Sequence, residues 1–153
     1  MADFYRLIWM MPAAFACHIA EEYIGGFPAW VTNVVGGSMS PPMFLVNNAG
    51  FMAVLLVLTA WSAIARTAFA NGVLIAWASA NLFWDFLFPV GTVPLFDRYS
   101  PGLVTATLLY FPISVAIAWS ALAQKVVSAR AFEIACAVGF EGMGFVIWAG
   151  LYH

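Results

Sequence analysis

The chain has 153 residues, the length of one ordinary domain, yet 65% of them are hydrophobic and only 8% are charged. Soluble domains carry ~45–50% apolar and ~25% charged residues, so this chain cannot cover a water-facing surface, and its apolar excess excludes disorder as well. Its five cations stand no closer than five positions apart, which leaves no basic patch for nucleic acid. Cys17 and Cys136 make neither a metal-type pair nor a disulfide framework. What remains is an integral membrane protein of the all-α class. It is expected as a polytopic transmembrane helical bundle of five helices, with residues 1–153 as a single domain in the cell membrane.

A helix needs ~20 apolar residues to cross the hydrocarbon core. The first span is predicted over residues 4–24, closed by Gly25, Gly26 and Pro28. Residues 25–42, rich in Gly, Ser and Pro and free of charge, read as a loop. The second span starts near residue 42 or 43, where prolines cost little, and ends just before Arg66. The third covers residues 68–88 and is closed by Pro89, Gly91 and Pro94. A polar turn of Asp97, Arg98, Tyr99 and Ser100 follows. The fourth covers residues 101–123, with Ser100 as its expected N-cap and Pro112 as an expected kink. The fifth covers residues 131–152. Arg6, an apolar run and Ala14-Phe15-Ala16 loosely imitate a signal peptide, but the run continues past the would-be cut.

Basic residues in short loops favour the cytoplasm. Five spans put Arg6, Arg66, Lys125 and Arg130 on one side and Arg98 on the other, which predicts a cytoplasmic N-terminus. Trp30, Tyr99 and Tyr152 then fit an outer aromatic belt, and Trp9 an inner one.

Ionisable groups inside a span are expensive and ask for a reason. His18, Glu21 and Glu22 end the first helix; Asn47 and Asn48 begin the second; Asn81 and Asp85 lie late in the third; Thr105 lies early in the fourth. Because the helices alternate, all of these fall in the outer half, roughly 5–14 Å from the helix ends at ~1.5 Å per residue. His18 and Glu22 are spaced i, i+4, as are Asn81 and Asp85, so each pair shares one helix face. One interhelical cavity is therefore expected to hold His18, Glu22, Asn48 and Asp85. Each residue also has a plainer reading. The glutamates suit headgroup contact, the asparagines interhelical hydrogen bonding, and Asp85 a bond to Asn48 or Arg98. His18 suits a structural donor role, and Thr105 and Ser114 back-bonding to their own helices. Glu133 suits a solvated first turn, while Glu141, near the midplane among Gly139, Gly142 and Gly144, calls for an interior partner. The cysteines read as small buried hydrophobes.

The segment His18-Ile19-Ala20-Glu21-Glu22 resembles the signature of the HXXEE membrane-protein family. The run Tyr99-Ser100-Pro101-Gly102-Leu103-Val104-Thr105-Ala106, followed by Pro112, is similar to that family's second segment. The resemblance implies a small multi-span protein over most of the chain and supplies no reaction. It also implies histidines in the span before the Tyr-Pro-Gly segment. This chain has Asn81 and Asp85 there, which speaks against a multi-histidine metal site.

A carboxyl group in an apolar cavity can keep its proton and act as an acid. With His18, Glu21, Glu22 and Asp85 as catalytic candidates, the favoured reading is a membrane enzyme doing acid–base chemistry. Its type would be isomerase, cyclase or epoxide-opening, on a lipophilic isoprenoid- or sterol-like small molecule. Asn47, Asn48, Asn81, Trp84, Thr105 and Tyr110 are the candidates for holding that substrate. Aromatics of the spans, among them Trp77, Phe83, Phe86, Trp119 and Trp148, suit a wall that shelters a carbocation. No cofactor is expected. Two alternatives stand beside this reading. One is a metal site, of di-iron or zinc type, through His18, Glu22 and Asp85, although one histidine is few for such metals. The other is a non-enzymatic carrier or lipid sensor, less favoured because no repeat is detectable; a homo-oligomer is compatible with either.

Overall fold

The structure is a computed structural model that describes residues 3–152. Among these residues it is all-helical, and four helices are long and apolar enough to cross a membrane. Helix α1 consists of Phe4–Leu7 and Met10–Ile24, joined by a turn at Ile8 and Trp9. Among its buried residues, Phe4, Ile8, Met11, Phe15, His18 and Glu22 recur at alternating steps of four and three. That period keeps one stripe facing the bundle, and its last two members are the ionisable ones. Helix α2 is Phe27–Trp30, continued by a π turn at Val31–Val35. Helix α3 is Pro41–Ala65, α4 is Ala68–Phe96, α5 is Leu103–Ala123 and α6 is Ala129–Tyr152.

The helix count is six rather than five, and the extra one corrects the expectation of a loop over residues 25–42. Gly26 takes φ 75°, a left-handed conformation that suits glycine and redirects the chain after α1. Pro28 then occupies the first turn, where its missing N–H costs nothing. Phe27, Trp30 and Val31 form an apolar face buried against Phe44. Helix α4 also runs past its expected end near residue 88, through Pro89 and Pro94 to Phe96.

The ends of the helices alternate. Phe4 N–H donates to Gln124 Oε1 at 3.3 Å. Asn71 Nδ2 donates to Tyr5 Oη and to the Val126 carbonyl, both at 3.2 Å. Ser62 Oγ donates to Asn71 Oδ1 at 2.7 Å. The starts of α1 and α4 thus share one end of the bundle with the last turns of α3 and α5. The Arg66 guanidinium lies 4.8 Å from the Tyr5 ring centroid at that end. Helices α4 and α6 form the most extensive interface. A Cβ at Gly139 would lie 2.1 Å from the Ala76 carbonyl oxygen, so only glycine permits that approach.

Several single-residue expectations change. Trp30 is buried among aromatic rings rather than placed in a belt, whereas Trp9 and Tyr99 are exposed as a belt requires. The side chain of Tyr152 lies outside the described residues. Cys17 is exposed, and Cys136 is half-buried, accepting from Ser79 Oγ at 3.3 Å. Glu141 faces outward from α6.

Candidate functional site

Two widened turns build the site. In α4 a π turn spans Phe83–Leu87 and carries Asp85. In α5 a π turn spans Ala106–Tyr110 and ends on Tyr110. Each is followed within two residues by a proline, Pro89 or Pro112. A helical proline lacks the N–H that would reach the carbonyl four residues back, and its ring crowds that carbonyl. Widening the preceding turn relieves the crowding, and a π turn of this kind stands just before Pro112, where the kink is expected. Such turns recur at functional sites. Here they aim Asp85 and Tyr110 at the His18–Glu22 stripe of α1.

His18, Glu22, Asp85 and Tyr110 are all almost completely buried. His18 Nε2 lies 3.5 Å from Glu22 Oε1 and 3.8 Å from Asp85 Oδ1. Both distances are long for hydrogen bonds. Among the described residues, Glu22 Oε2, Asp85 Oδ2, Asn81 Nδ2 and Tyr110 Oη make no hydrogen bond. The Tyr110 hydroxyl lies beside Asp85 and Asn81. Among the described residues no Lys or Arg pairs with either carboxyl.

Glu21 does something different. One of its oxygens accepts from Tyr99 Oη at 2.7 Å and from Val104 N–H at 3.2 Å. The other accepts from Thr105 N–H at 2.7 Å and from Thr105 Oγ1 at 2.5 Å. The carboxylate of α1 therefore caps the first turn of α5, where free N–H groups and the helix dipole favour negative charge. This corrects the expectation that Ser100 is the cap: its Oγ makes no hydrogen bond. Outside the spans, partial burial and the neighbouring Glu21 carboxylate push the Tyr99 hydroxyl up to about 12.

The network fixes where protons sit. A hydroxyl has one proton to donate, and Thr105 directs its proton to Glu21. Thr105 Oγ1 must then accept from His18 Nδ1, 3.1 Å away. His18 consequently carries hydrogen on Nδ1, and its Nε2 is turned toward the two buried carboxyls. Thr105 also approaches the Gly102 carbonyl at 3.3 Å, but its main partners are Glu21 and His18. The expected self-bonding is the minor contact.

The Tyr-Ser-Pro-Gly turn closes the other side of the imidazole. Gly102 has φ 92°, and a Cβ there would lie 2.6 Å from His18 Cε1 and 2.8 Å from Glu22 Cγ. Gly25 meets Pro101 in the same way: a Cβ would lie 2.9 Å from Pro101 Cβ. The two sequence segments, some eighty residues apart, are one packed unit.

A cavity of about 90 Å³ adjoins this unit. Asn47, Asn48, Asn81 and Asp85 supply its polar groups, and Phe15, Phe27, Phe44, Phe51 and Trp84 its aromatic wall. Asp85 belongs to both the cavity and the histidine cluster; His18 and Glu22 lie behind it. Asn48 therefore joins the adjoining cavity rather than the cluster, and its Nδ2 donates to the Phe44 carbonyl of its own helix at 2.9 Å. Thr105 and Tyr110 lie on the cluster side. Trp119 and Trp148 face outward and form no part of the wall. Sequence reasoning missed Phe15, Phe27, Phe44 and Phe51, because apolar residues occur throughout the chain and carry no positional signal. Among the described residues no three His, Cys, Asp or Glu side chains converge as metal ligands.

Fold and site together define a helical membrane protein with a buried imidazole–carboxyl cluster at the edge of an apolar cavity. A family model described as "Protein of unknown function with HXXEE motif" matches residues 9–117, and the chain belongs to that family. No curated protein and no solved structure matches it.

Proposed function

We propose that the protein is an intramembrane acid–base enzyme acting on a lipophilic substrate held in the cavity beside Asp85. The observation that carries this reading is the double membership of Asp85, which faces the cavity while lying 3.8 Å from His18 Nε2. Among the described residues, two buried carboxyls surround one imidazole with no Lys or Arg paired to them. Uncompensated charge is costly inside a membrane. A neutral cluster holds two protons among Nε2 and the two carboxyls, so at least one carboxyl is protonated. Asp85 donates this proton to an alkene carbon or epoxide oxygen of the substrate. The resulting cation loses a proton from a neighbouring carbon to the cluster, with Glu22 and His18 redistributing protons behind Asp85. Glu21 and Thr105 are positioning residues in this scheme: they set the His18 tautomer and touch no substrate. The aromatic wall favours a developing cation. Isomerisation, cyclisation and epoxide opening share this first step.

The topology that accompanies this reading has five membrane crossings, α1 included, in the cell membrane with a cytoplasmic N-terminus. It is supported by the grouping of basic residues toward the end of the bundle that holds Tyr5 and Arg66. Deuterium exchange tests the chemistry without requiring that the substrate be identified first. Purified protein in deuterated water is mixed with an apolar lipid extract, and products are read by mass spectrometry. Deuterium should enter at least one apolar compound. Asp85→Asn should lower that rate by ~10²-fold or more, the scale of lost general acid catalysis. Incorporation unaffected by Asp85→Asn and Glu22→Gln would end the proposal.

A further inference from the structure

The cavity at Asp85 has an apolar neighbour. A second, almost wholly apolar groove of about 320 Å³ lies between α3, α4 and α6. Trp77 and Ala80 of α4 form its floor, with Leu58 of α3 on one wall and Val138 and Gly142 of α6 on the other. Phe51, Met143 and Val146 line both spaces, so groove and cavity are neighbours across these three side chains. Val138 and Val146 are about half exposed on the face that a bilayer would wet. The groove alone falls within the ~300–1,000 Å³ of small-molecule sites.

The polar end limits what fits. A dry cavity of ~150 Å³ holds benzene, and this one measures about 90 Å³. A glycerophosphate headgroup is too large. No Lys or Arg lines the cavity, and Asp85 does, which disfavours a phosphate or carboxylate end. The buried Nδ2 of Asn81 and Oδ2 of Asp85, beside the Tyr110 hydroxyl, make no hydrogen bond of their own among the described residues and offer one donor and one acidic oxygen. We propose that groove and cavity form one site for a single-tailed lipophile with one small neutral oxygen terminus, a terminal epoxide, whose oxygen a long-chain alcohol presents in unreactive form. It slides in sideways from the bilayer between α3 and α6, tail along Gly142 and terminus at Asp85. This deepens the enzymatic reading and rests on it for the role of the terminus; occupancy of the groove does not depend on the chemistry.

Gly142 supplies a clean probe, because a Cβ there meets nothing within 4 Å. Gly142→Leu adds a side chain at the groove lining, starting from a Cβ position that meets no neighbour. The probe is hexadecanol carrying a mid-chain diazirine, photolysed with the protein in phosphatidylcholine nanodiscs. Adducts are mapped by mass spectrometry. Groove residues such as Val138 and Trp77 should be labelled, and excess unlabelled long-chain alcohol should suppress this. Hexadecane, palmitate and the host lipid should not. Suppression by hexadecanol or by geranylgeraniol, whichever is stronger, tells a straight tail from a methyl-branched one. Gly142→Leu should cut groove adducts about tenfold while leaving those on outward Phe145 unchanged. Val146→Phe, at the junction, should do the same if the leucine variant does not fold. Labelling that no alcohol suppresses, or that survives both variants, overturns the site. If groove labelling fails while deuterium incorporation still depends on Asp85, the groove is wrong and the acid reading stands. Suppressible labelling without Asp85-dependent incorporation has the opposite meaning.

Discussion

Gly102 is held by two separate constraints, and replacing it by alanine makes both measurable. Its φ of 92° disfavours any side chain, at about 1–2 kcal/mol for a left-handed residue. Its missing Cβ leaves room for the imidazole and for Glu22, at 2.6 and 2.8 Å from where that atom would stand. Overpacking of this kind costs about 1–3 kcal/mol, so Gly102→Ala should lose about 2–5 kcal/mol in all. Gly36 separates the two effects, because it has φ 83° and nothing within 4 Å of its would-be Cβ. Gly36→Ala should therefore show the backbone cost alone, about 1–2 kcal/mol. The assay is reversible unfolding of both variants in the same detergent. His18→Ala in the Gly102→Ala background should return part of the difference, since it removes the nearest clashing atoms; such coupling is what a double-mutant cycle reports. Equal losses for Gly102→Ala and Gly36→Ala would show that the turn does not press on the imidazole, and the packed unit of the two segments would be wrong.

Three further outcomes follow from the same geometry. Thr105→Val should cost about 1.5–3 kcal/mol, as expected for hydrogen bonds to a charged group, and should release His18 from its single tautomer in nitrogen NMR. Thr105→Ser should preserve both the tautomer and most of the stability. Tyr99, pushed up to about 12 by its partial burial and by Glu21, should titrate nearer 10 in Glu21→Gln, read as the ultraviolet difference from Tyr99→Phe. Since its folded value is the raised one, its contribution to stability is complete below pH ~10, the free tyrosine value, and is lost as pH climbs through about 12. Cysteines placed at exposed Ser38 and Ser128 should react from opposite sides of the membrane, and labelling of both from one side would end the five-crossing topology.

Much of the site was legible because burying a charge in a membrane is expensive. Counting spans was enough to bring His18, Glu22 and Asp85 to one depth, and the i, i+4 spacing placed the first two on one stripe of α1. What could not be read depended on backbone detail. The helix at Phe27–Trp30 is hidden in a stretch whose Gly, Ser and Pro content reads as loop, and its burial against Phe44, Trp84 and Phe88 stabilises it. Pro89, Gly91 and Pro94 look like helix terminators, yet the π turn before them lets α4 continue. Glu21 sits next to Glu22 in sequence, and composition gives no reason to separate them. The ~100° between adjacent helical residues does so, sending one to cap α5 and the other to the imidazole. Glu141 shows the reverse: its depth suggested an interior partner, but its position on α6 turns it outward.

The proposed acid chemistry requires the buried cluster to store a proton on a carboxyl beside the cavity. Infrared difference spectroscopy of lipid-embedded protein at neutral pH tests this most directly, because a protonated carboxyl has a carbonyl stretch that a carboxylate lacks. Subtracting Asp85→Asn or Glu22→Gln from the unmodified protein cancels the other acids, Glu141 included. A carboxylic-acid band should appear in the unmodified protein, weaken in each single variant and be absent from the double variant. Spectra in which both Glu22 and Asp85 appear only as carboxylates would contradict it.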